Sequence, residues 1–315
     1  MLNIWRQLLG LILLFTLLSP ALVKAEPLDT AASDPKTMGW MQGFPPPDDR
    51  IIGYPASDYF SFPKLRWTFC HFREIQATKR VGRGIGPVSP FEEALDPEID
   101  DVTFTPIGGE KEMTWNASLY ANYTDGMLIL HRGEIVYEYY SGCLDREGRH
   151  GAMSVTKSFV GTVAEILIAE GDLDDSKLVS DYVPELKSSA FGNATVRQVM
   201  DMTTGLDYNE NYADPESDIW QYAAAGDPTP KPESYAGPRN FYEFLQGVEP
   251  EGTHGEAFIY KSINTDALAW VIARATGKDF IEHLSERIWK PLGMEQEADM
   301  MIDSLGTPFS AGGLN

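Results

Sequence analysis

Positive charge is scarce. Lys and Arg together number 25 against 47 Asp and Glu, a formal net charge of −22 at pH 7. So acidic a chain repels nucleic acid and anionic membrane surfaces, and neither is expected as a partner. The acidity either draws cationic substrates or only keeps the protein soluble. Cysteine is scarcer still, with Cys70 and Cys143 alone. Nothing has metal-ligand spacing: the five histidines (His71, His131, His150, His254, His283) are scattered, and Cys70-His71 has no second pair nearby. Neither a metal nor any other cofactor is implied. No Gly-x-Ser-x-Gly occurs, which argues against the nucleophile elbow of a Ser-His-Asp hydrolase. Beyond residue 25 no apolar run approaches the roughly twenty residues of a membrane span.

The N-terminus has the layout of an export signal. Arg6 precedes an apolar run from Leu8 to Leu18, and Val23-Lys24-Ala25 offers small residues for cleavage after Ala25. The run is short for a span and Pro20 closes it, with an uncleaved anchor as the alternative. Cleavage removes Arg6 and Lys24, takes the formal charge from −22 to −24, and leaves a periplasmic or secreted protein with no stable membrane insertion. In that compartment Cys70 and Cys143 can pair, yet a chain of this size can build a core without a bridge. The sequence leaves their pairing open.

What is present begins with Ser154-Val155-Thr156-Lys157. The pattern Ser-x-x-Lys occurs three times, at Ser33 to Lys36, Ser61 to Lys64 and Ser154 to Lys157. Pro35 and Pro63 oppose a helical i, i+3 face at the first two. The third opens an apolar segment from Phe159 to Glu170 that stops at Gly171, where a helix C′ glycine is expected. Residues three apart share a helix face, so the Lys157 amine can reach the Ser154 hydroxyl. At a first turn, free backbone N–H groups and the positive end of the dipole favour a developing oxyanion. A helix apolar nearly all round is buried, and a desolvated lysine loses its proton more readily, as a Ser–Lys nucleophile–base pair needs. The alternative is a serine N-cap followed by a solvated lysine, which fits the apolar surroundings poorly.

Around this point the chain changes character. Residues 26–115 are rich in proline, glycine and aromatics and are expected to wrap the domain irregularly. Gly82-Arg83-Gly84-Ile85-Gly86-Pro87 shows no strand before it or helix after it, so it reads as a loop, not a phosphate cradle. Met127 to Leu130 and Glu134 to Tyr140 flank His131-Arg132-Gly133 and predict a hairpin. Helices are expected from Thr195 to Met202, from Ala267 to Ala275 before Gly277, and from Phe280 to Trp289 before Pro291. Residues 207–240, rich in Tyr, Asp, Pro and Gly, read as a binding loop or lid.

A hairpin, a Ser-x-x-Lys helix and a helical region in that order resemble the penicillin-recognising serine hydrolases, among them class C β-lactamases. Asp201-Met202-Thr203-Thr204-Gly205-Leu206 resembles a recurrent turn of that superfamily, and Phe258 to Asp266 resembles its second catalytic motif. Lys290-Pro291-Leu292-Gly293-Met294 and Ser310-Ala311-Gly312-Gly313-Leu314 resemble later segments. Met41-Gln42-Gly43-Phe44-Pro45-Pro46-Pro47 and Tyr260-x-Ser262-x-Asn264-Thr265 look most like the 6-aminohexanoate-dimer (nylon-oligomer) hydrolases. The resemblance implies an α+β, β-lactamase/transpeptidase-like fold over residues 116–315, an antiparallel sheet with packed helices beside a mostly helical region. It implies Ser154, Lys157 and Tyr260 as catalytic residues, with Tyr212, Ser262 and Asn264 against a small-molecule amide or ester substrate. Tyr212 either closes over the bound amide or is a lid residue without contact. Ser262 stands where the common Tyr-x-Asn pattern has Asn, which points away from ordinary β-lactam hydrolysis. A D,D-peptidase or β-lactamase, and a catalytically inactive binding protein, are the competing readings.

The resemblance also implies a strand with a Lys/His-Thr/Ser-Gly triplet as one wall of the site, and no such triplet occurs. On that comparison the chain is expected to lack C-terminal sheet strands and to leave hairpin edges open. Residues 26–315 are then expected to be poorly soluble or loosely packed. Their hydrolysis is expected to be at least about a hundredfold below that of a chain carrying those strands.

Overall fold

The computed structural model describes residues 27–53, 58–227 and 231–315. The export-signal reading of residues 1–25 falls outside these described residues. The expected hairpin pairs Gly126–His131 antiparallel with Glu134–Tyr140, from Gly126 opposite Tyr140 to His131 opposite Glu134, with a one-residue register shift between Ile129 and Leu130. Its two-residue turn places Arg132 at φ 54° and Gly133 at φ 88°, the positive pair that a type I′ connection demands. Ile135 and Tyr137 are buried at alternate positions, so period-two patterning fixes the inward face. Glu92–Glu93 adds a short parallel strand beside Glu134–Ile135. The outer edge of Gly126–His131 has no strand partner among the described residues, and Leu128 and Leu130 are exposed there.

Two helices form the centre of the helical region. Thr156–Glu170, the serine helix, ends at Gly171 in the left-handed conformation (φ 82°), whose N–H returns to the carbonyl of Ile168. Ile263–Thr276, the tyrosine helix, ends in the same way at Gly277. The two helices pack together, and Val160, Val163 and Leu167 of the first share one buried cluster with Ile263, Leu268 and Ile272 of the second. The tyrosine helix starts four residues before the apolar pattern indicated. Asn264, Thr265 and Asp266 are buried in its first turn, where the side chains of Asn264 and Asp266 are hydrogen-bonded to other parts of the protein.

Several sequence expectations need correction. Residues 207–240 are not all loop: Asp218–Gly226 is a helix whose Ile219, Tyr222 and Ala225 face the core three residues apart. Residues 26–115 do more than wrap. Thr78–Val81 pairs antiparallel with Ala298–Met301, so a strand does precede the glycine string. Its charged residues hid it, because Lys79 reaches Asp279 and Arg80 reaches Glu297 at the surface, while Val81 is wholly buried. Trp40, Ile52 and Trp67 build a second small core. Buried Arg66 donates to Thr30 O, Ser33 Oγ and Asp125 Oδ1, fastening this region to the start of the hairpin. The last six residues fold inward: Met301 N–H donates to Gly313 O at 2.9 Å, and Ala152 N–H to Leu314 O at 2.8 Å.

Cys70 and Cys143 form a disulfide, the pairing that the sequence left open. It closes a loop between positions 73 residues apart and joins the N-terminal region to the turn after the hairpin. A loop of that size reduces unfolded-chain entropy by an amount equivalent to about 4 kcal/mol in the simple chain model. Replacing both cysteines by serine is expected to lower unfolding stability by about 2–4 kcal/mol, measured by urea denaturation.

Candidate active site

Ser154 sits in a 3₁₀ turn, Met153–Val155, that runs directly into the serine helix. Met153, just before it, has φ 45°, a region that non-glycine residues occupy at a cost. That turn leaves Ser154 exposed at the helix mouth, while Lys157, one turn on, is half-buried. The Lys157 Nζ lies 3.0 Å from Ser154 Oγ and donates to the carbonyl of Ala311 at 2.6 Å. Tyr260 approaches from the other side, its hydroxyl 2.8 Å from Ser154 Oγ. The Lys157 Nζ stands 5.0 Å from the centre of the Tyr260 ring, which favours positive charge there. Two groups able to take or give a proton therefore converge on one hydroxyl oxygen.

The Tyr260 segment is held from behind. Glu210 accepts the backbone N–H of Ser262 at 2.7 Å and its hydroxyl at 2.7 Å, and also the Tyr212 hydroxyl at 2.5 Å. Tyr212 projects beside the site at 60% exposure, edge-on to Trp220. Desolvation and then the Glu210 bond push the Tyr212 hydroxyl above its ordinary pKa, so near neutral pH it is a hydrogen-bond donor. Ser262 is buried with both donors committed to Glu210, so in this arrangement it serves the wall and not a substrate.

Asn264 is placed differently from its expected role against substrate. It is fully buried, accepts from Thr204 Oγ1 at 2.7 Å and donates to Lys261 O at 3.1 Å. It thus ties the Thr203–Gly205 turn to the Tyr260 segment. That turn is pinned again by His254, whose Nδ1 accepts the Gly205 N–H at 2.9 Å. Burial holds the His254 imidazole below its ordinary pKa, which suits this accepting nitrogen. Among the described residues, no group of three His, Cys, Asp or Glu side chains is arranged to hold a metal ion.

Sequence reasoning missed Glu210 and the Ala311 carbonyl. Glu210 was one acid among 47 Asp and Glu, and only its place two residues before Tyr212 could have marked it. Ser310 to Leu314 was noticed as a motif, but a backbone acceptor leaves no trace in side-chain identity.

Residues 120–296 match the Beta-lactamase family model. The chain is 36% identical over 266 residues to a 6-aminohexanoate-dimer hydrolase of Paenarthrobacter ureafaciens, across 80% of this chain and 62% of that protein. A shorter match, 45% over 53 residues, joins it to a Beta-lactamase of Providencia stuartii, across 17% of this chain and 14% of that one. A solved Bacillus anthracis structure named for a 6-aminohexanoate-dimer hydrolase superposes with a TM-score of 0.74 at 30% identity, covering 82% of this chain and 66% of that one. The chain thus spans less than two thirds of the length of these two 6-aminohexanoate-dimer hydrolase relatives. The fold is β-lactamase/transpeptidase-like, and with more than half of its residues inside the family match the chain belongs to the Beta-lactamase family, within the penicillin-recognising serine hydrolase superfamily.

Proposed function

We propose that this protein is a serine hydrolase that cleaves amide or ester bonds through an acyl-enzyme on Ser154. The observation that carries this reading is the approach of Lys157 Nζ at 3.0 Å and Tyr260 at 2.8 Å to the same Ser154 oxygen. In the step we infer, the Lys157 amine keeps its N–H on Ala311 O and turns its lone pair toward Ser154. Ser154 attacks the acyl carbon as its proton passes to Lys157. Tyr260 relays a proton to the departing nitrogen or oxygen, and a water then cleaves the acyl-serine with the same groups acting in reverse.

The substrate we infer is a linear amide or ester, with 6-aminohexanoate-type amides first, after the names of the relatives above. Tyr212, exposed beside the site with its one O–H given to Glu210, is placed to close over a bound amide and to accept the amide N–H on its oxygen. Ser262 stands where the β-lactam pattern carries Asn and spends both donors on Glu210, which favours this reading over β-lactam hydrolysis. We also place the protein in the periplasm or outside the cell, a proposal supported by residues 1–25 and by the Cys70–Cys143 disulfide.

Three measurements test the reading. Ser154→Ala is expected to abolish labelling by a fluorophosphonate, followed by intact mass, with the melting curve unchanged; undiminished labelling would overturn the assignment. Lys157→Arg keeps a cation but supplies no free base near neutral pH, so labelling is expected to slow by about a hundredfold or more. Across a panel of 6-aminohexanoate oligomers, short esters and a chromogenic β-lactam, turnover should appear with the amides or esters. Turnover of the β-lactam alone would reverse the order of substrates.

A further inference from the structure

Behind the Ser154–Lys157 pair lies a carboxylate that the proposed mechanism does not use. Asp266 stands in the first turn of the tyrosine helix, 3% exposed, and no Lys or Arg forms an ion pair with it among the described residues. An unpaired buried carboxylate is costly unless donors surround it. Here they do: the Tyr222 hydroxyl donates to Oδ2, and the Ser310 N–H donates to Oδ1 at 2.8 Å. The Ala311 N–H adds a second backbone contact. Ser310 and Ala311 are themselves buried, and the carbonyl of Ala311 is the acceptor for Lys157 Nζ. The path from Oδ1 of Asp266 to the lysine amine therefore runs through one fixed turn.

We propose that Asp266 is a positioning residue for the Ser154–Lys157 pair, holding the Ser310–Ala311 turn so that the Ala311 carbonyl fixes the lysine amine against the serine hydroxyl. The two oxygens of Asp266 divide the work. Oδ2 anchors the Asp218–Gly226 helix through Tyr222, and Oδ1 anchors the turn. Without that anchor the carbonyl can rotate away, and the amine loses the contact that aims its lone pair.

Desolvation raises the Asp266 carboxyl to about 7, with the Tyr222 bond, the charge of Lys157 and the two backbone contacts opposing. The titratable groups that act on it are Lys157 from the serine helix, Tyr222 from the Asp218–Gly226 helix, and Tyr208 from the segment before that helix. Burial pushes both tyrosines up, so they stay neutral through this range. The hold on the turn is therefore strongest above about pH 7, where Asp266 is ionised, and weakens below it as the carboxyl takes up a proton.

The catalytic consequence rests on the serine-hydrolase reading, and the positioning itself can be measured without it. In the full chain, Asp266→Asn is expected to slow fluorophosphonate labelling of Ser154 at least tenfold at pH 8. It should also remove a step in the pH profile of labelling near pH 7. Tyr222→Phe, which vacates only Oδ2, should lower the melting temperature yet label within about twofold of the wild-type rate. Amide hydrogen exchange at Ser310 and Ala311 should rise at least tenfold in Asp266→Asn and not in Tyr222→Phe. Unchanged exchange in Asp266→Asn, equal slowing in both variants, or a step near pH 7 that survives in Asp266→Asn overturns the proposal. If the wild-type protein is not labelled at all, the serine-hydrolase reading fails, and the exchange rates alone decide the role of Asp266.

Discussion

One hydrogen bond organises the site: the Lys157 amine to the carbonyl of Ala311. A lysine beside a serine on a helix face is common, and by itself it swings freely on a four-carbon stem. Here a backbone oxygen from a distant segment ends that freedom. The segment is in turn fixed by the pairing of Met301 with Gly313, by Ala152 reaching Leu314, and by Thr156 Oγ1 accepting the Leu314 N–H at 3.2 Å. The serine helix and the 310–315 turn thus grip one another on both sides of the lysine.

Much of this was legible in the sequence, and the parts that were not share a cause. The serine helix could be read because its apolar run, its glycine stop and its Ser-x-x-Lys opening all lie within one stretch. The hairpin could be read because Arg132-Gly133 encodes its own turn. Thr78–Val81 could not, since a strand with Lys79 and Arg80 at its centre has no alternating pattern, and its partner lies more than two hundred residues away. The start of the tyrosine helix was hidden for a related reason. Asn264, Thr265 and Asp266 break an apolar pattern on sight, yet each is buried. Met153 gave no hint of its positive φ, because that strain is imposed by the turn and not by its own side chain.

Net acidity could be counted from composition, but its placement could not. Glu210 spends its charge on three donors of the site wall, and Asp266 sits in the interior on hydroxyl and amide donors. Neither behaves like the surface carboxylates that meet Arg and Lys around the rim, such as Glu185 with Arg274 or Glu286 with Lys278. Exposed pairs of that kind contribute little to stability, whereas a buried acceptor dictates which backbone can stand beside it.

The distance along the chain between the partners of the central bond has a bearing on the order of events in the cell. Lys157 and Ala311 are 154 residues apart, and Thr78–Val81 must wait for Ala298–Met301 before it can pair. Bringing together segments so remote costs loop-closure entropy before any contact rewards it, and chains rich in such pairings fold slowly. During synthesis, Ser154 and Lys157 leave the ribosome long before the carbonyl that aims them. A nascent chain with this layout carries Ser154 and Lys157 without that contact until more than 150 further residues have been made.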